Sequence, residues 1–201
     1  MSFLPLPLQD LVDRFQSLPG IGPKSSLRMA LAVLDWPRDR ALALAGSIQA
    51  LRDQLCRCSI CAALADSDPC PICQDPVRDN GQICVVAEWD SLLTLESSSA
   101  FRGRYLVLGG LLSPLDGLEP ARLELDKLRR LILNGQAKEI ILALGATTEA
   151  EITCSFLKNH LHGLAPGLPV TRLAQGIPLG AEVKFMDRET LRQSLQFRQN
   201  F

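Results

Sequence analysis

An α+β chain of several parts is the fold class this sequence predicts: a helical N-terminal section, a four-cysteine metal module, an α/β section with a mainly parallel sheet, and a short strand-helix extension. Three observations predict it. As far as Leu55 the apolar residues recur at helical spacing. Two CxxC pairs, Cys58/Cys61 and Cys70/Cys73, then interrupt the pattern. From Ile83 onward short apolar runs alternate with helical stretches. The expected boundaries are 1–55, 56–78, 81–176 and 177–201.

The first section holds three helices. Leu8, Leu11, Val12 and Phe15 mark one that stops near Leu18-Pro19, and Leu27, Ala30, Leu31 and Leu34 mark a second. Between them runs Leu18-Pro19-Gly20-Ile21-Gly22-Pro23-Lys24. Glycines without Cβ let backbone N–H groups approach a phosphate, Pro23 suits the first helical position, and a helix N-terminus favours an anion. Lys24 and Arg28 stand four apart on one helical face, where both can reach a phosphate backbone. Helix, Gly-Ile-Gly turn, helix resembles the helix-hairpin-helix motif of DNA-repair proteins; the plain alternative is an αα-hairpin with a solvated basic face. Asp35-Trp36-Pro37 breaks the pattern, with Trp36 read as packing, and Ala41, Leu44, Ala45, Ile48, Leu51 and Leu55 mark the third helix.

The segment 58–73, CSICAALADSDPCPIC, is too short for a core of its own, so a metal is expected to fold it. Each CxxC knuckle grips one face of a tetrahedral ion, and a closed four-cysteine site is structural rather than catalytic, so Zn2+ is the expected cofactor. The alternatives are a redox CxxC and a disulfide pair; redox motifs usually stand singly, and nothing marks the chain as secreted. Cys56 competes with Cys58 as a ligand, although Cys58 makes the knuckles symmetric. Cys84 and Cys154 read as small buried hydrophobes.

Asn80-Gly81 marks a boundary. Apolar runs at 83–86, 105–108, 140–144 and 170–174 read as buried strands. Helical patterns lie at 91–97, 120–133 and 149–162, with Gly135 and Gly163 as C-caps. Such alternation implies a parallel sheet covered on both faces, with functional groups at the carboxyl ends of its strands. Those ends carry Glu88, then Thr147, Thr148, Glu149 and Glu151. A short strand near 183–186 and a helix from about Arg188 are expected last. Phe185-Met186-Asp187 faintly resembles the end of a Walker B strand, but GxxxxGK[ST] occurs nowhere, so ATP hydrolysis is unsupported. His160 and His162 fall near a helix C-terminus, where the dipole favours them, and are not read as metal ligands.

With 201 residues, 47% hydrophobic, the chain is large enough to bury a core. A formal net charge of −1 excludes a globally basic nucleic-acid coat, so DNA contact must come from a local surface or from several subunits. Residues 1–5 lack the basic start and apolar core of a signal peptide, and no stretch reaches the ~20 apolar residues that span a bilayer. A cytoplasmic protein with no membrane contact is expected.

The order of parts closely resembles the RecR family of bacterial recombination mediators. The resemblance spans the chain and rests on Leu18-Pro-Gly-Ile-Gly-Pro-Lys-Ser25, the paired CxxC motifs, Asn80-Gly-Gln-Ile-Cys-Val-Val86, Leu112-Ser-Pro-Leu-Asp-Gly117 and Gly176-Ile-Pro-Leu-Gly180. It implies a Toprim domain from about Gly81 to Gly176 and zinc ligands Cys58, Cys61, Cys70 and Cys73. Lys24 and Arg28, with Gly20 and Gly22, become the DNA contacts, and Glu149 and Glu151 the acidic pair. It further implies a homo-dimer or tetramer ring that clamps DNA, binds RecO and RecF, and helps load RecA onto SSB-coated single strands. Two positions depart from the family pattern. Ala87 stands where relatives carry glutamate, with Glu88 one residue later, and Ala150 where relatives commonly carry glycine. On a strand a one-residue shift turns a side chain to the other face.

Three functions remain open at this point. A non-enzymatic DNA-binding mediator is the main one. A Mg2+-dependent Toprim enzyme such as a nuclease is the second, although a Toprim topoisomerase needs a nucleophilic tyrosine and the only tyrosine, Tyr105, falls in a buried strand. The third is a zinc-bearing interaction module whose hairpin only packs. Glu149 and Glu151 accordingly read as Mg2+ ligands, as an acidic contact for a basic partner such as RecO, or as solvated residues opening a helix.

Overall fold

The computed structural model describes residues 4–113, 119–134 and 137–198. Two compact units make up the chain, Met1–Leu55 and Cys56–Phe201.

In the first unit α1 (Leu6–Gln16) and α2 (Pro23–Leu34) pack on each other and bury Val12, Ser26 and Ala30. α1 starts two residues before the expected Leu8, because a proline in its first turn loses no hydrogen bond there. α3 (Arg38–Gln54) follows the Trp36-Pro37 break and buries none of its residues. Trp36 is half-buried, with the Arg40 guanidinium 3.9 Å above its ring.

The second unit opens with β1 (Cys56–Arg57) and β2 (Leu64–Ala65), an antiparallel pair in the register Cys56↔Ala65, followed by α4 (Pro71–Gln74). Then come β3 (Gln82–Val86), α5 (Trp89–Ser97), β4 (Arg104–Val107), α6 (Leu125–Leu133), β5 (Glu139–Ala143), α7 (Thr148–Leu164) and β6 (Val170–Arg172). The four longer strands form one parallel sheet in the order β4-β3-β5-β6. The chain steps from β3 to one side and then returns to the other, with Val86 level with both Val107 and Ala143. That reversal sets the carboxyl ends of β3 and β5 side by side, where an open parallel sheet offers a binding crevice.

Alternation along the strands divides the interior into two cores. Ile83, Val85, Leu106, Ile140 and Leu142 face α6 and α7 through Leu128, Leu131, Leu157 and Leu161. Cys84, Val86, Tyr105 and Val107 face the opposite way, onto Leu92 of α5 and onto Cys58, Cys61, Ala62, Ala63, Cys70 and Cys73. The sheet is covered on both faces as expected, but half of the second cover is the cysteine module. That module therefore shares the sheet's core and does not depend on metal alone.

Local differences from expectation have local causes. The helix expected over 120–133 is a 3-10 turn (Pro120–Arg122) followed by α6, because Glu124 N–H donates to Leu108 O at 2.9 Å and ties the segment to the exit of β4. α7 runs through Gly163 to Leu164, so Ala165 is the cap residue; Gly135 lies outside the described residues. β6 stops at Arg172, two residues short of the apolar run. β6 and α8 (Arg188–Gln196) supply the strand and helix of the C-terminal part. Val183–Phe185, expected as a strand, is instead a 3-10 turn: Val183 and Phe185 are 61% and 72% exposed, with no strand alongside among the described residues. Asp187 caps α8, its carboxylate accepting from Thr190 N–H at 2.9 Å and from the Thr190 hydroxyl at 2.6 Å, so its hydrophobic-Asp context is a helix start. Residues 114–117 of the Leu112–Gly117 motif lie outside the described residues. Among the described residues no helix is long and apolar enough to cross a membrane.

Candidate nucleic-acid interface, metal centre and acidic edge

The hairpin is built from two glycines with different work. Gly20 has φ +78°, a conformation an L side chain rarely adopts, and it lets Ile21 N–H turn back to Leu18 O at 3.2 Å. Gly22 is extended, caps α2, and accepts from Ser26 N–H at 3.0 Å. A Cβ on either glycine would meet nothing within 4 Å. At Gly22 neither backbone angle nor packing demands glycine, and its absent side chain leaves the first amides of α2 open to an approaching group. The first turn of α2 contains no acid, and Lys24, Ser25 and Arg28 are exposed with no carboxylate partner among the described residues. Lys24 and Arg28 lie about 6 Å apart along the helix axis. Unpaired cations beside open helix N–H groups form a surface for a polyanion.

The metal centre is assembled from two tight knuckles. Cys58 O accepts from Ala62 N–H at 3.0 Å, and Ala62 then takes φ +62°, which reverses the chain into β2. Cys70 O accepts from Gln74 N–H at 3.0 Å at the start of α4. The loop between them braces the first knuckle, with the Asp68 carboxylate accepting from Ser59 N–H at 2.7 Å; that backbone hydrogen bond holds the Asp68 pKa below its usual value. All four Sγ atoms are buried and lie within 4.8 Å of one another, Cys61 and Cys70 at 3.6 Å. A tetrahedron with Zn–S bonds of about 2.3 Å has sulfur edges of about 3.8 Å, so the residues fit zinc with little movement. Cys70 N–H donates to Cys58 Sγ at 3.4 Å, which ties the second knuckle to the first. The Cys61 thiol is lowered to about 6, chiefly because Cys73 donates to it, and the same hydrogen bond raises Cys73. Cys56 stands apart, exposed, with Sγ 3.4 Å from Ala65 O, so it is Cys58 and not Cys56 that joins the cluster. Cys84 is buried and its thiol pushed up to about 12 by desolvation; Cys154 is only half-buried. His160 stacks on Phe156 and His162 sits in the last turn of α7, neither within a metal-binding cluster among the described residues.

The acidic residues reach the carboxyl edge of the sheet but do not form one site. Ala87 O accepts from both Gly109 and Gly110 N–H at 3.0 Å, locking the exits of β3 and β4 together. Glu88 lies beyond the strand as the exposed cap residue of α5, so strand alternation does not set its direction. Thr147 caps α7, its hydroxyl accepting from Ala150 N–H at 3.2 Å, and Glu149 is exposed. The Ala150 methyl is wholly buried in the first core, which explains how alanine fits there. Glu151 is engaged: both its oxygens accept from Arg172 Nη1, at 2.8 and 3.0 Å, and Gln175 Nε2 donates to one of them at 3.3 Å. Sequence reasoning missed Arg172 and Gln175, which no local spacing links to Glu151. Tyr105 is fully buried, and burial raises its hydroxyl pKa.

Comparison with known proteins gives four family matches in chain order: the RecR helix-hairpin-helix over 8–52, the RecR four-cysteine zinc finger domain over 55–75, the Toprim domain over 81–174, and the RecR C-terminal segment over 176–199. The recombination protein RecR of Nitratidesulfovibrio vulgaris is 52% identical over 200 residues, covering 100% of both chains. That of Maridesulfovibrio salexigens is 51% identical over 199 residues, with 99% of each covered, and that of Geobacter sulfurreducens 42% over 191 residues, with 95% of each covered.

Proposed function

The chain belongs to the RecR family of recombination proteins, and from that premise we propose that it is a non-enzymatic, DNA-binding mediator of recombination repair. Copies of it close into a clamp of two or four chains on DNA, at duplexes and at single/double-strand junctions, without reading sequence. In the cytoplasm it acts with RecO and RecF, on the route independent of RecBC, to help load RecA onto single strands coated by SSB. The working division is a DNA-binding section 1–55, a zinc clasp 56–78, a Toprim section 81–176 and an extension 177–201.

The observation that carries this reading is the start of α2: Gly22 unconstrained by packing, Pro23 in the first helical turn, and Lys24 and Arg28 exposed without counter-ions among the described residues. Phosphate contacts of this kind position a duplex and carry no sequence information. Self-assembly is supported by α3, a 17-residue helix that buries nothing while Leu42, Ile48 and Leu51 are 58%, 58% and 61% exposed. Most helical stability in proteins comes from tertiary packing, which a helix burying none of its residues lacks, and a second copy gives it a surface to pack on. Several hairpins per assembly also reconcile DNA affinity with a net charge of −1. A Toprim topoisomerase would need a nucleophilic tyrosine, and Tyr105, the only tyrosine of the sequence, is fully buried. Glu149 and Glu151 are better suited to a basic protein partner, which we take to be RecO.

The test is fluorescence anisotropy of a labelled duplex with wild type and Lys24→Ala/Arg28→Ala. The wild type binds, and the variant, with unchanged zinc content and thermal midpoint, loses at least about tenfold in affinity at moderate salt. Equal binding by the two proteins overturns the assignment.

A further inference from the structure

Glu151 has two features at once: it is held by a cation from its own chain, and it borders open space. Arg172 ends the edge strand β6, and its Nη1 reaches both Glu151 oxygens. Arg172 Nη2 lies 3.4 Å from Gln175 Oε1, and its guanidinium lies 5.7 Å from the centre of the Phe197 ring, just past α8. The grip thus includes the C-terminal extension. A cavity of about 760 Å³ runs alongside, between the start of α7 and α8, with Glu151, Gln175 and Thr148 in its wall. The paired side chains keep 35% and 47% of their surface exposed, so water competes for the contact and separation is cheap.

We propose that Arg172 is an internal latch: it occupies Glu151 in the resting chain, and a guanidinium or ammonium group of a basic protein partner enters from the cavity side and takes its place. The inference rests on the reading that the acidic edge of α7 receives such a partner, and it adds a regulatory step to it. Only molecules in which Arg172 has let go present Glu151, so apparent affinity is lowered by that fraction. A second consequence is directional. Displacing Arg172 also loosens Gln175 and Phe197, so partner binding is felt in the C-terminal extension, and contacts made there feed back on Glu151.

The test uses the full chain and a fluorescein-labelled hexa-arginine peptide at low ionic strength. Arg172→Gln keeps a polar side chain but releases Glu151, and binds the peptide about fivefold or more tightly than wild type, the low end of ordinary coupling between sites. Lys158→Gln removes the same charge two turns along α7 from an exposed position, and leaves affinity within about twofold. Adding Glu151→Gln to Arg172→Gln cancels the gain. Thermal midpoints stay level throughout. If Arg172→Gln and Lys158→Gln raise affinity alike, the gain is one of net charge; if Arg172→Gln changes nothing while Glu151→Gln still weakens binding, Glu151 is a contact that nothing holds shut; either result overturns the latch. If Glu149→Gln and Glu151→Gln leave binding unchanged, the acidic-edge reading fails and the latch falls with it.

Discussion

The two units of this chain put similar proportions of apolar sequence to opposite ends. The second buries its strands on both faces, with fully enclosed Leu106, Leu108, Leu128, Leu157 and Tyr105, and seals one face with four cysteines. Among the described residues the first unit buries only Val12, Ser26 and Ala30, while leucines and an isoleucine of α2 and α3 remain in water. A unit with that little core has its stabilising contacts still to make. The second unit is a self-sufficient platform given its metal. On the proposed function the first is a surface completed by other molecules: a second copy on its apolar helices and DNA on its hairpin.

Metal removal breaks the contrast most severely, because the ligands sit inside a core shared with the sheet. Chelation, or Cys61→Ser, is expected to remove on the order of 5 kcal/mol or more from the second unit and to abolish its cooperative melt, read by calorimetry alongside zinc content. A melt that loses only the knuckles and leaves the sheet intact would mean that the cysteines fold a separate module.

Paired truncations measure the contrast itself. Leu128→Ala and Leu157→Ala, at fully buried positions, should each cost about 2–5 kcal/mol in denaturant unfolding. Leu51→Ala in α3 should change the stability of the isolated chain by less than about 0.5 kcal/mol and yet weaken self-association in sedimentation. A loss at Leu51 as large as that at Leu128 would show that α3 is packed within its own chain.

A smaller effect comes from the turn Pro76–Arg78, where Arg78 pairs with both oxygens of Glu96 on α5 and fastens the zinc module's exit to the sheet. Arg78, by hydrogen bond first, holds the Glu96 carboxyl below its usual pKa. A carboxylate lowered in the folded state stabilises above its unfolded pKa, about 4.3, and loses that contribution as the pH falls through the folded value. Glu96→Gln should therefore cost about 1 kcal/mol at neutral pH, and its melt should converge on the wild type below that range. A gap that persists in acid would mean that packing, not charge, carries the contact.

Much of this was legible where the physics is local. The zinc ligands follow from a spacing that few other chemistries use, the helices and strands from period, and the hairpin from glycine and proline placement. What escaped depends on partners distant in the chain. That Cys58 and Cys61 pack against Val86 and Val107 needs the sheet to exist first, as does the hydrogen bond from Val107 N–H to Cys61 O at 2.8 Å that covers the outer edge of β4. The break at Glu124 is made by Leu108, and the partner of Glu151 arrives from β6, so neither leaves a mark in its own neighbourhood. Val183 and Phe185 have strand-forming side chains but no strand to pair with among the described residues, and propensity without a partner gave a turn. Gly163 shows the converse, a glycine near a helix end that the helix simply runs through.

The central claim, that the first unit is completed by a second copy and by DNA together, is tested most directly by the salt dependence of duplex binding in wild type and in Ile48→Asp/Leu51→Asp, both exposed positions whose change spares the fold. Each hairpin offers two cations, so each copy contributes a slope of about −1.8 in log affinity against log salt. The account predicts a wild-type slope at least twice that and a monomeric variant near the single-copy value, with weakened binding. A variant that stays assembled, or that becomes monomeric with an unchanged slope, would contradict it.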